Sequence, residues 1–211
     1  PPVAATAARN WINRNVLAGV ITKGEMIVDL PAEIIAAALQ GQPIPDDRIN
    51  FTFDLAGVDT RYFDDLPPIQ GATGSGVLRG DSFDLQLDKG KVTVPSGTTV
   101  ELVTGTMKVT HLMVDGTRAA FDLTVNGPAR GFMELIDLPP LQYLTKSGVK
   151  AGNLQGQIDG RVAFDIPLKS GITASEVTLD ARTTISDVRL PNALDNISID
   201  GGELAVTATM A

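Results

Sequence analysis

Apolar and polar residues alternate with a period of two along most of this chain, the signature of strands with one oily and one wet face. The alternation is strict from Ile49: Ile49, Phe51, Phe53 and Leu55 share one parity, Asn50, Thr52 and Asp54 the other. Ile158, Val162, Phe164, Ile166 and Leu168 stand in the same way against Asp159, Arg161 and Asp165. After the break at Lys169-Ser170-Gly171, the residues Val177, Leu179, Ala181 and Ile185 repeat the pattern against Thr178, Asp180, Arg182 and Thr184. Between these stretches lie strand candidates at Phe83 to Asp88, Lys91 to Pro95, Thr99 to Leu112 and Arg118 to Val125. Their apolar parities hold Leu85 and Leu87, Met107 and Val109, and Phe121, Leu123 and Val125. Gly90, Ser96-Gly97 and Asp115-Gly116 supply turns. Gly19 to Leu30 reads as a hairpin turning near Lys23-Gly24, and Gly71 to Gly80 as a glycine-rich strand that allows bends or bulges. Further strands fall near Ile197 to Asp200 and Leu204 to Thr209. Links this short predict a mainly antiparallel sheet, because parallel pairs need long crossovers.

Helical spacing is confined to short segments. Thr6 is placed to cap a helix running to Asn15, with Trp11 as an anchor against a sheet edge. Pro31 to Leu39 predicts a helix whose stripe of Ile34, Ile35, Ala38 and Leu39 rests on a sheet. Pro128 to Ile136 carries Phe132, Leu135 and Ile136 at helical spacing, and Pro139-Pro140 stops it before a turn through Leu141, Tyr143 and Leu144. The whole reads as one β unit over residues 1–211, divisible into 1–125 and 126–211, with a helical plug at about 128–145. An internal echo links Leu55 with Ile185, Val58 with Val188, Asp65 with Asp195, Ile69 with Ile199 and Gly71 with Gly201, which fits one strand-crossing-strand unit used twice.

Composition narrows the functional classes. With 211 residues, 43% hydrophobic and 20% charged, the chain is long enough to bury a core and too apolar for disorder. Its net charge of −8 opposes nucleic acid and anionic membrane surfaces. There is no cysteine, and no run approaches the roughly 20 apolar residues that span a bilayer. An opening at Pro1-Pro2 and an ending just past Leu204, Val206 and Met210 suggest a piece of a longer polypeptide. Chemistry-bearing residues do not converge. His111, the single histidine, has no partner for nucleophilic or metal chemistry and shares the parity of Met107 and Val109, so it reads as a structural or pathway-lining residue. The acid pairs Asp46-Asp47 and Asp64-Asp65 read as solvated loop acids. The run Gly71-Ala72-Thr73-Gly74-Ser75-Gly76 lacks the lysine of a phosphate loop and precedes a strand pattern. No catalytic site, metal or cofactor is expected.

What remains is the set of apolar strand faces. A second sheet closed over them makes a sandwich; left open, they make an oily trough that must hold something apolar. The pattern alone favours the filled sandwich. A resemblance shifts the balance. Asn126-Gly127-Pro128, then Leu135 to Leu141, Thr145 to Gly148 and Gly156 to Leu168 resemble the central region of YhdP-like proteins of Gram-negative bacteria, within the AsmA-like group. Arg9 to Ile12, Gly19 to Gly24 and Leu66 to Ala72 extend that likeness over nearly the whole chain. The resemblance implies a curled antiparallel groove in a long periplasmic protein, anchored in the inner membrane by a segment outside this chain. It implies phospholipid acyl chains as cargo, movement toward the outer membrane and support of its barrier. Flanking segments of the same polypeptide, and other envelope proteins, are the implied partners. On that reading the groove is lined by Phe51, Phe53, Leu85, Leu87, Val109, Phe121, Leu123, Val125, Val162, Phe164, Ile166, Val177, Leu179 and Ile185. The alternative is a non-catalytic interaction domain of the envelope.

Overall fold

The computed structural model describes residues 6–62, 65–112, 116–139, 141–147, 154–169, 171–194 and 197–210. In chain order the elements are α1 (Thr6–Asn15), β1 (Val16–Val28), α2 (Ala32–Leu39), β2 (Ile49–Thr60), β3 (Ile69–Arg79), β4 (Ser82–Thr93), β5 (Thr99–Thr110) and β6 (Arg118–Pro128). There follow α3 (Ala129–Asp137), α4 (Tyr143–Ser147), β7 (Gln155–Pro167), β8 (Thr178–Leu194), β9 (Ile197–Asp200) and β10 (Glu203–Met210). The strands form one antiparallel sheet in the order β1-β2-β3-β4-β5-β6-β7-β8-β10, with β9 continuing the β10 edge along β8. The fold is thus mainly β with four short helices, and the sheet is not closed into a barrel. No second sheet faces it among the described residues, which rules out the sandwich.

Directly opposed residues in antiparallel strands share a face, so the registers assemble rungs across the sheet. One rung runs Phe53, Gly76, Leu85, Met107, Phe121, Phe164, Leu179, and the next Leu55, Gly74, Leu87, Gly105, Leu123, Val162, Ala181, Ala208. Parallel to them run Phe51, Leu78, Phe83, Val109, Ala119, Ile166 on one side and Gly90, Leu102, Val125, Gly160, Thr183, Val206 on the other. All of these belong to the concave face. Curling shortens the inner arc, and glycines relieve the crowding: a Cβ on Gly76 would meet the Phe53 ring at 2.3 Å, and one on Gly105 would meet Leu123 Cδ2 at 2.4 Å. The opposite face carries exposed ion pairs, among them Arg161 with Asp122, Arg118 with Asp165 and Arg182 with Asp180.

The internal echo is a structural repeat. In β1–β2, Ala18, Val20 and Ile21 pair with Asp59, Ala56 and Leu55; in β7–β8, Gln155, Gln157 and Ile158 pair with Arg189, Ser186 and Ile185. Each residue of the second set lies 137 positions after its counterpart on the first strand and 130 after it on the second. Beyond a bulge in β1 the correspondence continues with Gly24↔Phe53 against Gly160↔Thr183, and Met26↔Phe51 against Val162↔Ala181. On the next strand, Thr60↔Ile69 matches Leu190↔Ile199, and Leu55↔Gly74 matches Ile185↔Leu204. Both units break register at the same level, where left-handed residues bend the strands: Gly57 (φ 62°) and Gly71 (φ 61°) in one, Asp187 (φ 53°) and Gly201 (φ 90°) in the other.

Four sequence expectations need correction. Gly19 to Leu30 is not a hairpin: β1 pairs with β2 along its whole length, and Gly24 occupies a concave position beside the Phe51 ring. Phe83 to Asp88 and Lys91 to Pro95 are one strand, because Gly90 is buried against Ile69 and Leu102 and makes no turn. α2 buries none of its residues: Ile34 and Ala38 of its stripe are half-buried, and Ile35 and Leu39 are exposed. His111 is exposed with φ 59°, past the end of β5, so the parity that aligned it with Met107 does not reach it. The helix expected over 6–15 is α1; the Trp11 side chain and Asp64 lie outside what is described.

Candidate functional site

The concave face is buried unevenly. Its centre, from β4 through β8, joins Leu87, Leu102, Met107, Phe121, Leu123, Ile158 and Ile185 in one apolar cluster. Toward β1 the cover disappears. All thirteen residues of β1 are exposed, including the concave Ile21 at 56% and Met26 at 60%.

α3 caps the centre. Pro128 sets the extended approach to the helix, and Leu138 leaves it in extended conformation before Pro139, as the residue preceding a proline tends to. The helix buries Ala129, Phe132 and Met133. Polar contacts fix its C-terminal half: the Ser96 backbone N–H donates to Glu134 Oε1 at 2.9 Å, and Asp137 accepts from the Thr145 N–H at 2.8 Å and its hydroxyl at 2.9 Å. Because α3 and α4 are short, they cover the trough without filling it.

Beneath them lies a cavity of about 480 Å³, within the roughly 300–1,000 Å³ of small-molecule sites. Its walls come from β3 to β8, from β10, and from the cap through Phe132, Leu135, Ile136, Leu141 and Leu144. Phe164 stacks on Phe121 with centroids 4.5 Å apart, and Tyr62 leans on Phe164 at 6.2 Å. Burial pushes the Tyr62 phenol above its ordinary pKa, which keeps it neutral. The polar residues among its lining are Glu101, Thr183, Thr207, Tyr62 and Tyr143. Among the described residues no three His, Cys, Asp or Glu side chains gather as metal ligands. The arrangement can exclude water and hold an apolar chain.

The structure brings all fourteen sequence-proposed lining residues to one side of the sheet. Leu123, Val125, Val162, Phe164, Val177 and Leu179 border the cavity itself. Phe121, Val109, Ile166 and Ile185 are packed in the surrounding core, and Leu87 is buried there as well. Phe51, Phe53 and Leu85 are half-buried toward the open side, where Phe53 stands 4.9 Å from Phe51 and 6.1 Å from Phe83. Sequence reasoning missed Tyr62 and Leu154. It also missed Thr183 and its partner Gly160, although both share parity with the apolar rows. Thr183 Oγ1 is buried without a hydrogen-bond partner. Comparison with protein-family models, curated proteins and solved structures finds no match to this chain.

Proposed function

We propose that this chain is a lipid-carrying trough whose concave face takes the acyl chains of phospholipid. The observation that carries the reading is the cavity under α3 and α4, walled almost wholly by apolar side chains of the concave rungs. Each methylene moved from water into such a wall gains about 0.8 kcal/mol, so retention needs no polar pocket. Head groups stay wet at the rim. Movement along the face is diffusion between near-equivalent apolar positions, and no energy-consuming or catalytic group within the chain is required.

The resemblance of the Asn126-Gly127-Pro128, Leu135 to Leu141 and Gly156 to Leu168 segments to YhdP-like proteins supports an envelope setting. On that reading the chain is a segment of a periplasmic protein, anchored in the inner membrane by a part outside it. It passes phospholipid between inner and outer membranes and sustains the outer-membrane barrier.

Native mass spectrometry of chain purified from a Gram-negative host tests the proposal. Phospholipid adducts are expected, and they should fall sharply in Val162→Trp, which fills the cavity floor. A wild-type chain free of lipid, or equal adducts in both proteins, would overturn the reading in favour of an interaction domain.

A further inference from the structure

The repeat indicates what belongs on the free edge of β1. Its counterpart β7 has β6 on the other side, in unbroken register from Arg118↔Pro167 to Pro128↔Gln157. β1 is the outermost strand, and among the described residues no strand pairs with its far edge. The effect of the missing neighbour is visible residue by residue: Ile21 is 56% exposed where Ile158 is 0%, and Val28 is 52% exposed where Phe164 is half-buried. An edge of this length normally carries proline, inward charge or a covering loop to prevent pairing. β1 has no proline, and its concave positions Ile21, Gly24, Met26 and Val28 are all uncharged; its two charges, Lys23 and Glu25, lie on the convex face, and its register breaks fall before Gly24.

We propose that the β1 edge docks an antiparallel strand of the β6 type, supplied by another unit with the fold of β1–β6, the stretch after which the repeat begins again at β7, in the register that β6 keeps with β7. The residue in the place of Gly127 then lies opposite Ile21, that of Val125 opposite Gly24, that of Leu123 opposite Met26 and that of Phe121 opposite Val28. Charge separates this docking strand from β6 itself. Arg161 of β7 pairs with Asp122 of β6, but the place of Arg161 on β1 is taken by Glu25. The docking strand therefore carries a cation where β6 carries Asp122. Strand pairing extends the concave face beyond β1 and is independent of whether that face holds lipid.

The test uses a synthetic peptide of residues 118–128 with Asp122→Lys, added to the intact chain and followed by amide hydrogen exchange. Exchange across β1 should slow at least about tenfold, with β10 unaffected, and the unaltered Asp122 peptide should protect less. Because the chain has no cysteine, Met26→Cys can be challenged with peptides carrying Leu123→Cys or Thr124→Cys; the first should cross-link faster. Failure of millimolar peptide to protect β1 would overturn the proposal. So would protection at β10 instead, equal protection by a scrambled peptide, or a β1–β1 dimer of the chain.

Discussion

Gly105 and Thr183 show how the trough is set at the scale of single residues. The Leu123 side chain lies over Gly105 so closely that any larger residue must displace it. Gly105→Val is expected to destabilise the chain by about 1–3 kcal/mol through overpacking, read as a lower denaturation midpoint in urea. Thr183→Val has the opposite sign: it removes a buried hydroxyl with no partner and keeps the shape, so it should stabilise by about 1 kcal/mol. Side-chain parity was legible in the sequence at this scale, because the period of two is a property of each strand by itself. Thr183 and Gly160 were not legible. A threonine between Ala181 and Ile185 looks like a lapse in the apolar pattern until the register places its methyl 2.5 Å from where a Gly160 Cβ would stand.

Among the elements, strand existence was legible and strand continuity was not. Lys23-Gly24 and Lys89-Gly90 have the composition of turns, but both glycines serve a curved sheet as small concave residues, a role that only the neighbouring strand reveals. α2 was read as amphipathic and packed, yet none of its oily stripe is buried in the described chain. The cap was legible because its prolines bracket one apolar face. Phe132, 4% exposed within α3, should cost about 3–5 kcal/mol when replaced by Ala, measured by chemical denaturation. The β7–β8 connection carries a pH signal. Lys169 lies 2.5 Å from Glu176 Oε1, and Thr173 donates its N–H and hydroxyl to Glu176 Oε2; these contacts hold the Glu176 carboxyl down at about 2, with Lys169 the larger cause. A depressed carboxylate contributes stability that is full above its unfolded pKa, about 4.3, and is lost as pH falls toward 2. The Glu176 carboxyl should therefore titrate near pH 2 by NMR, and Lys169→Ala should move that midpoint upward.

For the molecule as a whole, the sequence left a filled sandwich and an open trough both standing, since alternation gives the face and not what stands opposite it. The single curled sheet decides for the trough, and the matched registers of β1–β2–β3 with β7–β8–β9/β10 explain its shape as one bent unit used twice. The same bends carry Ile69 and Val92 to the cavity that Leu204 and Val206 border from the other end of the sheet. The claim that this face is a conduit is tested most directly by site-specific photo-crosslinking in Gram-negative cells, with the reactive residue placed at Phe53, Phe121 or Phe164 and, for the convex side, at Asp54 or Asp122. Phospholipid adducts at the phenylalanine positions and none at the aspartates are predicted. Adducts only at the aspartates, or at none of the five, would contradict the account.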